Sequence, residues 1–134
     1  MDKLILKIEI HGSVEVKAGD RLVNMVMFGG RCTGGLFEGE ILPCGVDVQK
    51  ITSSGGTLSA RYALEGVDYT GECCRMFIEN DAVLGMPFTE PKIITDSAAL
   101  GWMNDAALCG RIINGGDGLT IEIARAGELG EDIV

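Results

Sequence analysis

In run after run of this chain, apolar residues recur at every second position. In "LILKIEIH", Leu4, Leu6, Ile8 and Ile10 share one side, and Ile5, Lys7, Glu9 and His11 the other. In "TLSARYALE", Leu58, Ala60, Tyr62 and Leu64 lie opposite Thr57, Ser59, Arg61, Ala63 and Glu65. In "LTIEIAR", Leu119, Ile121 and Ile123 lie opposite Thr120, Glu122 and Ala124. Successive side chains of a β-strand point to opposite faces, so a period of two marks a strand with one face buried. Further runs of strand character are Val14 to Lys17, Leu22 to Phe28, Phe37 to Leu42, Val46 to Thr52, Glu72 to Glu79, Lys92 to Thr95 and Cys109 to Asn114.

Turn signals separate these runs. Ala18-Gly19-Asp20, Ser53 to Gly56 and Gly115-Gly116-Asp117-Gly118 each suit a hairpin. One segment, Asp96 to Leu108, has a helical alternative: Asp96 or Ser97 can cap a turn, with Leu100 and Met103 at helical spacing. Gly101 and Asn104 weaken a longer helix, so one or two turns are expected.

Eight to ten short antiparallel strands imply a sandwich or a closed barrel. The immunoglobulin order of Cys, Trp, Cys is missing, because Trp102 follows four of the five cysteines. Closure also removes exposed sheet edges in a chain with few prolines to protect them. The expectation is an all-β chain, a single antiparallel barrel domain over residues 1–134, with the acidic stretch from 127 to 134 frayed.

The formal charge of −9 and a pI near 4.5 set the chain against phosphate backbones and anionic membrane surfaces, so neither nucleic acid nor membrane is expected as a partner. "MDKLILKIEI" alternates where a secretory signal needs an unbroken apolar centre, and no run approaches a membrane span. With five cysteines, an odd number, this points to free thiols in the cytoplasm.

The most unusual stretch is "GGRCTGGLFEGEILPCGVDVQ", Gly29 to Gln49. A Walker loop needs a lysine followed by Ser or Thr after its glycines, but Pro43 and Cys44 precede the next lysine, Lys50. A dinucleotide fingerprint needs a helix where the residues after Gly39 read as strand. Metal is also disfavoured. Cys32 and Cys44 are far apart, Cys109 is isolated, and adjacent Cys73 and Cys74 point to opposite faces of a strand. All five are expected as buried structural thiols. What remains is geometry: glycines at 29, 30, 34, 35, 39 and 45 let strands bulge, coil and turn at barrel corners.

The same stretch resembles the signature of the domain of unknown function 3237 family, found in bacteria and fungi. Gly29, Gly30, Gly34, Gly39, Leu42, Pro43, Gly45, Asp47 and Gln49 match its pattern. "ARYALE" is similar to the family's Arg-Tyr-Xaa-Leu strand, Trp102-Met103-Asn104 to a Trp-Leu-Asn segment, and Gly110 falls in the strand that follows. The likeness runs from about Leu22 to Ala126, with departures at Cys44, Val48 and the segment Cys73 to Met86. The resemblance implies a β-barrel of calycin or lipocalin type and assigns no activity.

Alternation picks the candidate site. Asp47 and Gln49 share a strand face, so a carboxylate and an amide can enter the lumen, although Asp47 can equally accept backbone hydrogen bonds at the turn after Gly45. Arg61 can hold a ligand carboxylate or pair with Asp47, or else lie with Glu65 on a solvated face. Tyr62 is a ligand contact or a wall residue whose hydroxyl finds one partner. Trp102 can cover a cavity or plug one barrel end, and Asn104 can orient a carbonyl. His11, the sole histidine, has the pKa range of a general base but no evident partner.

Neither metal nor cofactor is expected. Three functions stay open. The first is a barrel that binds a small apolar or amphipathic molecule in its lumen or mouth. The second is a cofactor-free isomerase, cyclase or lyase built on Asp47, Arg61, Tyr62 or His11. The third is a filled barrel that acts through an oligomer or partner surface. Homo-oligomerisation is an expectation for small domains generally.

Overall fold

The computed structural model describes residues 2–116 and 118–130. Nine strands follow in chain order: β1 (Lys3–Ala18), β2 (Arg21–Thr33), β3 (Phe37–Ile41), β4 (Gly45–Thr52), β5 (Gly55–Asp68), β6 (Cys73–Val83), β7 (Phe88–Thr95), β8 (Leu108–Gly115) and β9 (Gly118–Arg125). All pairings between them are antiparallel, and β1 pairs with both β9 and β2, which closes the sheet. The short β3 and β4 share one place between β2 and β5, so nine strands make an eight-stranded closed barrel. No helix among the described residues is long and apolar enough to cross a membrane.

The expected runs Leu4 to His11 and Val14 to Lys17 are one strand. Ile10 pairs with Phe28 and Gly12 with Met27, leaving His11 as the extra residue of a β-bulge. A bulge exchanges the faces beyond it. Before it, Leu4, Leu6, Ile8 and Ile10 face the lumen. After it, Val14 and Val16 join their partners Met25 and Val23 on the outside, and Val14, Val16, Met25 and Met27 form an exposed apolar strip.

One end of the barrel is filled. Leu4, Leu6, Leu64, Ile78, Ile93 and Leu100 are all essentially inaccessible there. The expected helical segment supplies one 3-10 turn, Gly101–Asn104, and buries Met103 against this core. Ser97 holds the entry to the turn, its Oγ accepting from the Leu100 amide at 3.0 Å. The stretch expected to fray departs from that reading at Leu129, which is buried beside Cys109 and Ala124; residues 131–134 and Asp117 of the last hairpin lie outside the described residues.

Asp68 ties this end together. Its Oδ1 accepts from the Thr70 amide and hydroxyl and from the Glu72 amide, and its Oδ2 from the Ser97 hydroxyl. The Thr70 and Ser97 hydroxyls chiefly hold this carboxyl down to about 2 from an ordinary 3.8. A carboxyl lowered on folding contributes stability that is complete above its unfolded value and is lost as the pH falls through its folded one. Asp68→Asn is therefore expected to lower the melting temperature at neutral pH and to flatten the acid loss of stability between 3.8 and about 2. Paired thermal melts across that window check both.

Candidate functional site

The other end of the lumen is open. A cavity of about 120 Å³ enters it, lined by apolar residues that include Ile8, Ile10, Leu58 and Ile112. Its floor is Phe28, whose ring meets that of Tyr62 edge-on at 5.2 Å. The size is slightly below the engineered cavities of about 150 Å³ that admit benzene.

Four polar residues stand in this apolar wall: Asp47, Gln49, Asn80 and Thr89. Strand register explains how they meet. Asp47 pairs with Ala60, and Ala60 with Asn80, so carboxylate and amide flank a methyl group in one row across β4, β5 and β6. Thr89 comes from β7, opposite Gly110 of β8. A Cβ at Gly110 would stand 2.2 Å from Thr89 Oγ1 and 3.6 Å from Asn80 Nδ2, so the missing side chain there makes room for both.

On the other wall a ladder of amides leads to the carboxylate. Asn24 Nδ2 donates to Gln49 Oε1 at 3.4 Å, and Gln49 Nε2 donates to Asp47 Oδ2 at 3.0 Å. Asp47 is thus held by a side chain of its own strand, and its role differs from the expected acceptor of turn amides. Its second oxygen, Oδ1, is buried and has no hydrogen-bond partner among the described residues; the same is true of Asn80 Oδ1 and Thr89 Oγ1. Asn80 is 6% and Thr89 4% exposed. Buried polar groups are nearly always paired, so three unpartnered oxygens around one cavity are an unusual concentration.

The remaining expected residues lie elsewhere. Arg61 is one residue from Tyr62 and so points outward, where it pairs with Glu79 at 3.2 Å and Asp81 at 3.4 Å. It neither meets Asp47 nor reaches the lumen. Tyr62 points inward but below the floor, fully buried, and its hydroxyl lacks the expected partner among the described residues. Burial pushes its pKa upward.

Trp102 and Asn104 belong to the opposite, filled end. The Trp102 ring carries the Arg125 guanidinium at 3.9 Å, and Asn104 clamps the 3-10 turn to β7 through the Thr95 amide and carbonyl. At the bulge His11 lies on the outer face over Gly29, beside Glu9 at 3.9 Å. It stands outside the lumen, which removes it from any base role there. Of the cysteines, Cys32, Cys74 and Cys109 are buried, but Cys44 and Cys73 are exposed, against the expectation for all five. Burial lifts the Cys32 thiol to about 12, which suits an inert core group.

A family model described as "Protein of unknown function (DUF3237)" matches residues 3–126. The chain belongs to this family. The DUF3237 barrel recurs in solved structures: a protein of unknown function from Clostridium acetobutylicum is 22% identical, with 90% of this chain and 91% of that one covered at a TM-score of 0.70. A conserved protein of unknown function from Rhodopseudomonas palustris is 19% identical, with 91% and 95% covered and a TM-score of 0.73. A third structure, of an enzyme from Penicillium herquei, is 16% identical, with 90% and 87% covered and a TM-score of 0.69. At these identities the likeness establishes a common fold. No curated protein matches the chain by sequence.

Within the DUF3237 fold of this chain, alternation correctly paired Asp47 with Gln49, but the sequence reading passed over Asn24, Asn80 and Thr89. The signal for Asn80 was present: Cys74, Met76, Ile78 and Asn80 continue one face of β6. Thr89 likewise continues Thr95, Ile93 and Pro91 on the inner face of β7.

Proposed function

We propose that the chain binds a small, largely apolar molecule in the open half of the barrel, with Asp47, Gln49, Asn80 and Thr89 fixing its orientation. The observation that supports this reading is the set of buried oxygens, Asp47 Oδ1, Asn80 Oδ1 and Thr89 Oγ1, left without partners around one apolar cavity. Pockets of this kind combine apolar walls with a few convergent polar groups.

A test needs a change that fills the cavity and spares the polar groups. Ala60 faces the lumen between Asp47 and Asn80, so Ala60→Phe places a ring between them. Native mass spectrometry of the protein from its own host is expected to show a retained mass that is lost on denaturation and lost in Ala60→Phe. A retained mass that survives Ala60→Phe would put the ligand elsewhere and sink the assignment. The same spectra count copies. We infer two or more, because the strip of Val14, Val16, Met25 and Met27 leaves apolar surface on the outer wall.

The second reading is a cofactor-free enzyme using the same cavity, and it is favoured by the likeness to the Penicillium herquei structure, which is that of an enzyme. With Arg61 and His11 outside the lumen and the Tyr62 hydroxyl below the floor, its acid–base group is Asp47 alone. A clean apo mass in the wild type, with host extract converted by wild type and not by Asp47→Asn, supports this second reading over the first.

A further inference from the structure

We propose that the molecule held in the open lumen is a small amine, its ammonium seated between Asp47, Asn80 and Thr89; this rests on the reading of that lumen as a binding site. The orphan atoms have a common chemistry. A carboxylate only accepts hydrogen bonds, so Gln49 must turn its Nε2 toward Asp47. Its Oε1 then faces Asn24, whose Nδ2 must donate. The ladder therefore uses one N–H of each amide internally, and the buried atoms it leaves with no partner at all are acceptors: Asn24 Oδ1 and Asp47 Oδ1. Across the row, Asn80 presents Oδ1, and Thr89 Oγ1 can accept as well.

Charge narrows the choice. None of the side chains lining the cavity is Lys, Arg or His, so the Asp47 carboxylate has no cation beside it there. A bound carboxylate or phosphate would meet like charge and find no cationic donor. A neutral hydroxyl offers one hydrogen, whereas a primary ammonium offers three, and three unpartnered oxygens from three strands belong to residues lining the one cavity. Charge-assisted hydrogen bonds are roughly twice as strong as neutral ones. The net charge of −9 acts in the same direction by drawing cations toward the surface. The cavity of about 120 Å³ limits the apolar body to about the size of a single six-membered ring or a branched chain.

Benzylamine, benzyl alcohol and benzoate share one ring and differ in the polar group, so titrating each against the full chain while following lumen methyl signals of Ile8, Leu58 and Ile112 tests the class. Benzylamine is expected to bind about tenfold more tightly than benzyl alcohol. Benzoate is expected to leave the methyls unmoved. Asp47→Asn, similar in shape, should weaken the amine more than the alcohol and bring benzylamine to within about threefold of benzyl alcohol. Thr89→Val provides the same contrast with the carboxylate intact, weakening the amine more than the alcohol.

Benzyl alcohol or benzoate binding as tightly as benzylamine would overturn the amine assignment and leave the lumen as a binding site. So would benzylamine affinity unaltered in both variants. If none of the three compounds moves a lumen methyl, both the assignment and the reading beneath it fall.

Discussion

Replacing Gly30 by alanine is expected to remove a large share of the protein's stability, more than a methyl group added at an uncrowded glycine of the chain. Gly30 lies in β2 where that strand leaves β4, with the Phe28–Gly45 pair, and takes up β3, with the Arg31–Glu40 pair. To serve both neighbours the backbone coils inward beneath β1. The cost is visible in two ways: φ is +135°, where side chains are strained, and a Cβ would stand 1.9 Å from the Lys7 carbonyl oxygen. Strain of this kind costs about 1–3 kcal/mol. Forced overpacking adds about 1–3 kcal/mol more. Against a total stability of about 5–15 kcal/mol, that is a severe loss. Urea unfolding of Gly30→Ala measures it, and Gly71→Ala is the control: φ is +90° there but nothing lies within 4 Å of the added carbon. If the two variants lose equally, strand crowding contributes nothing at Gly30 and the corner is softer than its geometry implies.

That corner shows what could be read in advance. Alternation needs only local sequence, so it located nearly every strand and the inner faces of β4 and β5, and with them Asp47 and Gln49. The glycines of Gly29 to Gly45 were legible as bends because no phosphate or metal chemistry could use them. A bulge, by contrast, is decided by the partner strand. Nothing in "KIEIHGSVEV" announces that His11 is the residue without an opposite number, yet that one-residue slip turns Val14 to the outside. The same period of two could have judged the candidates against one another. Arg61 and Tyr62 are neighbours on one strand, so they could never both have entered the lumen. Trp102 and Asn104 needed knowledge of which barrel end their turn covers, and that follows from closure, a property of the whole sheet. Asn80 belongs to the segment where the likeness to the family departs and Thr89 to a covered segment outside the matched motifs, and alternation carried past Ile78 and back from Ile93 would have reached both.

Tyr62 offers the other large effect, and it separates packing from hydrogen bonding. The side chain is 1% exposed, its ring crosses that of Phe28 at 70°, and together they divide the filled half of the lumen from the open half. Tyr62→Ala is expected to cost about 3–5 kcal/mol, because the transfer of the ring is lost and a cavity remains. Tyr62→Phe keeps the ring and removes only a hydroxyl that has no partner among the described residues. Leaving such a group buried and unpaired costs about 1–3 kcal/mol, so the phenylalanine variant should equal the wild type or exceed it by about 1 kcal/mol. A loss on Tyr62→Phe would mean that the hydroxyl is satisfied in solution by an ordered water, since a polar buried atom with room beside it recruits one. Function provides a second check on the same pair. In Tyr62→Ala the cavity above Phe28 gains depth, so a probe with a longer apolar body should bind better relative to benzylamine. In Tyr62→Phe the preference should stay as it is, because the ring that supports the Phe28 floor is kept and only its oxygen is removed.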